Sequence, residues 1–417
     1  MHSRTAIAAV IVVLASGFFT ACGDDDDSDA ASTEAPATTE APAETTAEQT
    51  TTPPDASTTQ PTTDDGAGTD IAAEADLYYA GTYTDPPAES PPPATDKNVW
   101  VISCGEAAVG CAQLAGGAVE AGEVLGWDMT LYDGKLGADG AYPTGVRQAV
   151  AAGADALLIG AIDCALIAQP LAEAREAGVV VVGLGGYDCD DARVGGGEPL
   201  FDASPFGSDD LATVEAQMLN NGDARAAWLL NTAGTSGLKV LSLRHADSLL
   251  GSDLAAGFEA RIQQECEDCE IVPLDFTFAD LGTGAIGTKV SDALVQNPDV
   301  NALFAPYDSV LLLGVAQAVM RSGRADSINV VGGEGYTPNL ELIRTNAGQD
   351  MAIGSATRWT GWAGVDTLNR LFAGEAPVAE GFGLQFIDAE HMPEDDGVAF
   401  IPPVDYKAKY KAAWGVS

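Results

Sequence analysis

Four carboxylates, Asp163, Asp188, Asp308 and Glu334, each stand a few residues beyond a short apolar run, and Glu106 follows another. Paired acids in such places could do acid and base work. They could equally accept hydrogen bonds from a bound hydroxyl or ammonium, and loops of this kind bind more often than they catalyse. Tyr187, Tyr307, Tyr336, Trp359 and Trp362 fall near the same positions, where a rigid aromatic face could grip a flat solute or a sugar ring. Each has a plainer use as well: the acids can cap the helices that follow them, and half of the aromatics can be core. Trp100, Trp127 and Trp228 lie inside elements and read as core.

Other chemistries fit the residues poorly. Gly105-Glu-Ala-Ala-Val-Gly110 has the spacing that opens a phosphate loop, but Cys111-Ala112 stand where Lys and Ser or Thr are required. Gly183-Leu-Gly-Gly186 follows a strand, yet Asp188 takes the place of the third glycine of a dinucleotide fingerprint. Cys266-Glu-Asp-Cys269 ends a helix, whereas a reactive thiolate needs the positive end of one, so a structural bond is expected. The histidines are His2, His245 and His391, too few and too scattered for zinc. There is no Gly-x-Ser-x-Gly elbow. Neither a metal, nor a cofactor, nor a catalytic step is expected.

The elements that must position these residues are clearest over 155–189. Residues 156–159 and 179–184 are continuous apolar runs, as in parallel strands buried on both faces. Between them 165–177 reads as a helix stopped by Gly178, which completes a right-handed βαβ unit. Cys164 and Cys189 fall just past the two strand ends. Neighbouring strands lie about 4.8 Å apart, within the Cα range of a disulfide, about 4.4–6.8 Å, so a bond across the carboxyl edge is expected. The plan repeats: strands at 99–103 and 127–132 precede this unit, and strands at 240–243, 271–276, 302–305, 328–331, 351–354 and 384–387 alternate with helices after it. A long helix is expected over 208–230.

The chain opens with Arg4, an apolar run over 6–19 and small residues before Cys22, the pattern of an export signal. Phe19-Thr20-Ala21-Cys22 resembles the lipobox of bacterial lipoproteins, with Phe where Leu is usual; the resemblance implies that Cys22 is acylated. Seven cysteines then leave six, which fall into the local couples Cys104 with Cys111, Cys164 with Cys189, and Cys266 with Cys269, out of 15 possible connectivities. Residues 23–96 are mostly Asp, Glu, Thr, Ala and Pro and cannot bury enough surface to fold, except that the aromatics of 77–83 could pack on the globular part. The net charge of −43 repels phosphate backbones, which argues against nucleic acid.

Several phrases taken together match a known family: Gly153-Ala-Asp-Ala-Leu-Leu-Ile159, Ala174-Arg-Glu-Ala-Gly-Val-Val-Val-Val182, Ala256-Gly-Phe258, Asn297-Pro-Asp-Val-Asn-Ala-Leu-Phe304, Gly323-Arg324 and Val330-Val-Gly-Gly-Glu-Gly335. Over 98–374 the chain resembles the type I periplasmic binding proteins, the sugar receptors of ATP-binding cassette importers related to ribose-binding protein. The resemblance implies an α/β fold of two Rossmann-like lobes with parallel sheets, joined by three crossings near Gly237, Gly354 and Gly383. After the signal peptide over 1–21 and the lipid-anchored linker over 22–97, it implies an N-terminal lobe of 98–237 with 355–383 and a C-terminal lobe of 238–354 with 384–417. The family's binding residues carry over in part only. Gly185-Gly186-Tyr187-Asp188 stands for an Asp-Arg, Leu254 for an arginine, Tyr307-Asp308 for an Asn-Asp pair and Glu334 for an Asp; Ser355, Thr357 or Arg358 replaces a glutamine.

The expectation is a monomeric solute receptor, moored by Cys22 to the outer face of the cell membrane. It closes by hinge motion on a small polar ligand, sugar or sugar-like, and delivers it to a membrane permease. Glu106, Asp163, Tyr187, Asp188, Tyr307, Asp308, Glu334 and Trp359 are its expected contacts. The alternatives are a ligand-sensing domain for a membrane signalling partner and a secreted two-lobed enzyme.

Overall fold

The computed structural model describes residues 70–417. The expected signal peptide, Cys22 and the linker as far as residue 69 lie outside the described residues. Asp70 opens α1 (Ile71–Ala80), its carboxylate accepting from the Ala73 N–H at 3.3 Å. After an extended stretch come β1 (Asn98–Ser103), α2 (Val109–Val124), β2 (Asp128–Asp133), α3 (Ala141–Ala151), β3 (Ala156–Gly160), α4 (Ala168–Glu176) and β4 (Val180–Leu184). These strands form a parallel sheet in the order β2-β1-β3-β4. β3 is buried at every position, as a continuous apolar run requires when both faces are covered.

The pattern restarts with α5 (Val214–Ala233), β5 (Lys239–His245), α6 (Leu249–Glu265), β6 (Glu270–Phe276), α7 (Phe278–Thr283), α8 (Ile286–Gln296), β7 (Ala302–Phe304), α9 (Asp308–Val310), α10 (Ala316–Arg321), β8 (Asn329–Val331), α11 (Thr337–Arg344), β9 (Met351–Ser355), α12 (Thr357–Ala373), β10 (Leu384–Asp388) and α13 (Tyr406–Trp414). The second sheet runs β10-β9-β8-β7-β5-β6, with β10 antiparallel to β9 and its other pairs parallel. Strand order reverses between β1 and β3 in one sheet and between β5 and β7 in the other. Such switch points open a crevice at the carboxyl ends of the strands.

Helix-to-helix contact without side chains fixes which helix belongs to which sheet. A Cβ at Gly222 would fall on the Leu254 carbonyl and one at Gly257 on the Leu219 carbonyl, so α5 and α6 touch backbone to backbone. The same device joins α2 to α12 through Gly117 and Gly361. α5 therefore packs with the second sheet, in one core with Val240, Phe304 and Ile353.

The expected crossing near Gly237 put α5 with the first sheet; ahead of α5 the carbonyls of Phe206 and Gly207 accept from the N–H groups of Glu380 and Gly381. The apolar face of the long helix could have served either sheet; reciprocal glycines decide it. α13 is a second correction. Tyr406, Tyr410 and Trp414 pack on Trp359 and Trp362 of α12, so the C-terminal helix joins the core of the first sheet. The linker also ends earlier than residue 97. Tyr78 stacks on Phe386 at 4.8 Å and Tyr83 on Trp359 at 5.6 Å, while Arg370 and Asn369 of α12 donate to the carbonyls of Glu89 and Pro91. The aromatics and prolines after Asp70 bury enough surface to order a stretch whose composition is otherwise that of the tether.

Candidate functional site

The carboxyl ends of both sheets face a cavity of about 390 Å³. Cys104, Ala161 and Leu184 reach it from the first sheet's edge and Leu114 from α2; His245, Tyr307 and Glu334 reach it from the second sheet's edge and Leu254 from α6; Ser208, Ser355 and Phe382 complete it. Clefts that hold small organic ligands commonly have volumes of about 300–1,000 Å³. The disulfides Cys104–Cys111 and Cys164–Cys189 lie at this edge, and Cys266–Cys269 follows α6, as the local couples predict. Two clusters among the described residues, Cys164 with Asp188 and Cys189, and Cys266 with Asp268 and Cys269, have the composition of a metal site, but their sulfurs are bonded to each other.

On the second sheet, Asp308 is fully buried at the start of α9. Its carboxylate accepts from the N–H groups of Gly333, Gly335 and Tyr336 at 3.0, 2.7 and 3.1 Å and from Gln349 Nε2 at 3.0 Å. In return its own N–H donates to Glu334 Oε2 at 2.7 Å. Asp308 thus ties down the loop after β8, and Glu334 is what that loop presents to the cavity. Burial, and then the neighbouring Asp308 charge, pushes the Glu334 carboxyl up to about 8. Tyr307 lines the cavity with its hydroxyl 3.3 Å from His245 Nδ1, and burial raises its phenol above the usual range.

On the first sheet the expected residues have other duties. Asp163 accepts from the Tyr187 N–H and, across the seam, from the Leu249 N–H that opens α6, each at 3.1 Å. The Tyr187 hydroxyl donates to Asp253 of α6, and Arg193 Nη1 reaches the same carboxylate at 2.8 and 3.1 Å. These bonds fasten one sheet's loops to the other sheet's helix. Asp188 accepts from the N–H groups of Cys189, Leu200 and Phe201 and shapes its own loop. Trp359 is completely buried between Tyr83 and Tyr406, with its indole N–H on Tyr410 at 3.2 Å. Glu106 lies half-buried outside the cavity wall, its N–H on Asp133 Oδ1 at 3.0 Å. Asp163 and Asp188 share one reason: a strand-end acid takes the nearest unpaired N–H groups before it can serve a guest.

Residues that sequence reasoning missed complete the wall. Arg225 of α5 is almost fully buried, donates to the carbonyls of Ala305 and Pro306 at 3.2 and 2.7 Å, and is pulled down to about 10 by burial. Its Nε, with Asn221 Oδ1 and Gln217 Nε2 on the same helix, has no partner within the protein. His245 sits between Phe276 and Phe278. The arginine inside Ala224-Arg-Ala-Ala-Trp228 was a readable signal, since a lone cation in a buried helix face needs acceptors.

A family profile described as a periplasmic binding protein domain matches residues 106–376. The chain belongs to that family. The D-ribose/D-allose-binding protein of Pseudomonas aeruginosa is 24% identical over 262 residues, covering 57% of this chain and 70% of that protein. A solved ABC transporter solute binding protein from Agrobacterium vitis with bound D-fucose matches with TM-score 0.61 at 18% identity, over 73% of this chain and 100% of its own. One from Actinobacillus succinogenes with bound D-allose gives TM-score 0.59 at 17% identity, over 71% and 99%. The fold is that of the type I periplasmic binding proteins, as the resemblance implied. The family is one of solute-binding proteins rather than enzymes, and membership implies an extracytoplasmic location.

Proposed function

We propose that the protein is a solute receptor that captures a sugar or sugar-like ligand in this cavity and hands it to the permease of an ATP-binding cassette importer. The observation that carries the reading is the placing of Tyr307 and Glu334, from two adjacent strand ends, on the wall of a cavity closed by the opposite sheet. Sugars bound to solved proteins of this fold support the ligand class. Of the contacts expected from sequence, Tyr307 and Glu334 bind directly, joined by His245 and Arg225. Asp163, Tyr187 and Arg193 hold the seam shut. The lobes are residues 98–205 with α12 and α13, and α1 with residues 214–354 and β10. Cys22 carries the lipid that moors the receptor outside the cell membrane.

Protein purified without denaturation should release a small molecule detectable by mass spectrometry, and Tyr307→Ala and Glu334→Ala should each weaken its rebinding by at least about tenfold. Unchanged rebinding in both variants refutes the site. Deleting the gene should abolish uptake of that molecule, and Cys22→Ala should free the protein into the medium; continued uptake would count against transport, and retention at the membrane against the anchor.

A further inference from the structure

The cavity wall is more apolar than a free monosaccharide needs. Leu114, Leu136, Leu250, Leu254, Phe278 and Leu281 all face it. Some of its polar side chains are engaged elsewhere, the Tyr336 hydroxyl with Thr357 Oγ1 at 2.8 Å, Arg225 Nη1 with two carbonyls and Thr82 with Leu384, while Arg225 Nε, Asn221 Oδ1 and Gln217 Nε2, left without partners, suit a polar head only. A sugar hydroxyl buried without a partner is strongly disfavoured, so a ring with hydroxyls on every side is a poor match for leucines.

Leu136 gives the wall its direction. It belongs to the loop between β2 and α3 of the first sheet, yet it packs against the core of the second sheet beside Phe278, Leu281 and Tyr307. It holds a left-handed backbone conformation, φ 53°, that a leucine seldom adopts, and Lys135 and Asp139 beside it do likewise. Backbone kept in such a region persists only where surrounding structure imposes it, commonly at ligand clamps. Here it places an apolar side chain in the seam.

We infer that the solute carries an apolar substituent, aromatic or alkyl, on its sugar-like head, and that Leu136, Phe278 and Leu281 form the pocket for it. The inference rests on the receptor reading above and narrows its substrate class from free sugars to glycosides. Leu136 sets specificity. The head meets Glu334, Tyr307 and His245.

Calorimetric titration of the full-length protein with D-ribose, D-allose and D-fucose, and with their phenyl glycosides, tests this. At least one glycoside should bind tenfold or more tightly than its parent sugar, by about the effect of burying one large apolar group. A parent sugar that binds as tightly overturns the inference and leaves the receptor reading standing. Binding of none of the six probes also overturns it, while the receptor reading is judged by its own released ligand. Leu136→Asn keeps the left-handed backbone, which asparagine tolerates, and should weaken the glycoside about tenfold more than it weakens the parent sugar. An equal loss for both makes Leu136 a plain closure contact and refutes its role.

Discussion

The two carboxyl edges carry the same kinds of residue and use them differently. On the first, Asp163, Tyr187 and Asp188 are taken up by N–H groups and by bonds to α6. On the second, Tyr307 and Glu334 are left on the cavity wall. The difference follows from what comes after the strands. β4 leads into a long loop over 185–207, stapled by Cys164–Cys189, whose many backbone N–H groups lie within reach of the acids. The loops after β7 and β8 are short and end in α9 and α11. There Asp308 takes three N–H groups of the turn, and its neighbour Glu334, which accepts only the Asp308 N–H, still faces the cavity.

Asp308→Ala leaves three buried N–H groups without an acceptor, each costing about 1–3 kcal/mol, so urea denaturation should show a loss of about 3 kcal/mol or more, together with loss of binding. Unaltered binding would mean that the loop after β8 does not position Glu334.

Next in size is the pH dependence at Glu334. The folded protein holds this proton up to about 8, the unfolded chain only to about 4.5. Stability is therefore full below about 4.5 and declines as pH rises toward 8, because the folded state binds more protons across that window. Glu334→Gln keeps the acceptor for the Asp308 N–H but has no proton to lose. Its stability relative to the parent should grow between about pH 5 and about pH 8; a constant difference in denaturation midpoints would contradict the assignment.

The seam comes third. Asp253→Asn weakens the bonds from Tyr187 and Arg193, charge-assisted contacts worth about 1.5–3 kcal/mol apiece before solvent competition, and should lower ligand affinity about tenfold while enlarging the unliganded particle in small-angle scattering. A variant as compact as the parent would show that these bonds do not hold the seam. The smallest effect is expected at Asp188→Asn, about 1 kcal/mol of stability with ligand affinity unchanged; a tenfold loss of affinity there would return Asp188 to the binding site.

Strands were the most legible part of the sequence, since apolar runs such as 99–103 and 179–184 match β1 and β4 to within one residue. Between α9 and α10 the helical run is interrupted by a π-turn at Leu311–Val315, where Gly314 takes φ 133°, an irregularity that an unbroken apolar run does not announce. α1 was hidden by the acidic composition ahead of it, although Asp70 before an Ile-Ala-Ala-Glu start is a readable cap. α13 was readable too, from Tyr406, Tyr410 and Trp414 at helical spacing. Of the eight contacts expected from sequence, Tyr307 and Glu334 line the cavity. Position after a strand can be read from sequence; which N–H groups a carboxylate will claim depends on how a distant loop folds back over it, and Trp359 shows the same limit for an aromatic.

Tyr78, Thr82 and Thr84 border the same cavity, so the stretch just after the acidic leader is one of its walls. A recombinant fragment trimmed to begin at Asn98 would therefore be a different receptor. Its Phe386 and Trp359 would be uncovered, its two halves would lose the strip of chain lying along both, and its affinity for any guest would misreport that of the natural molecule.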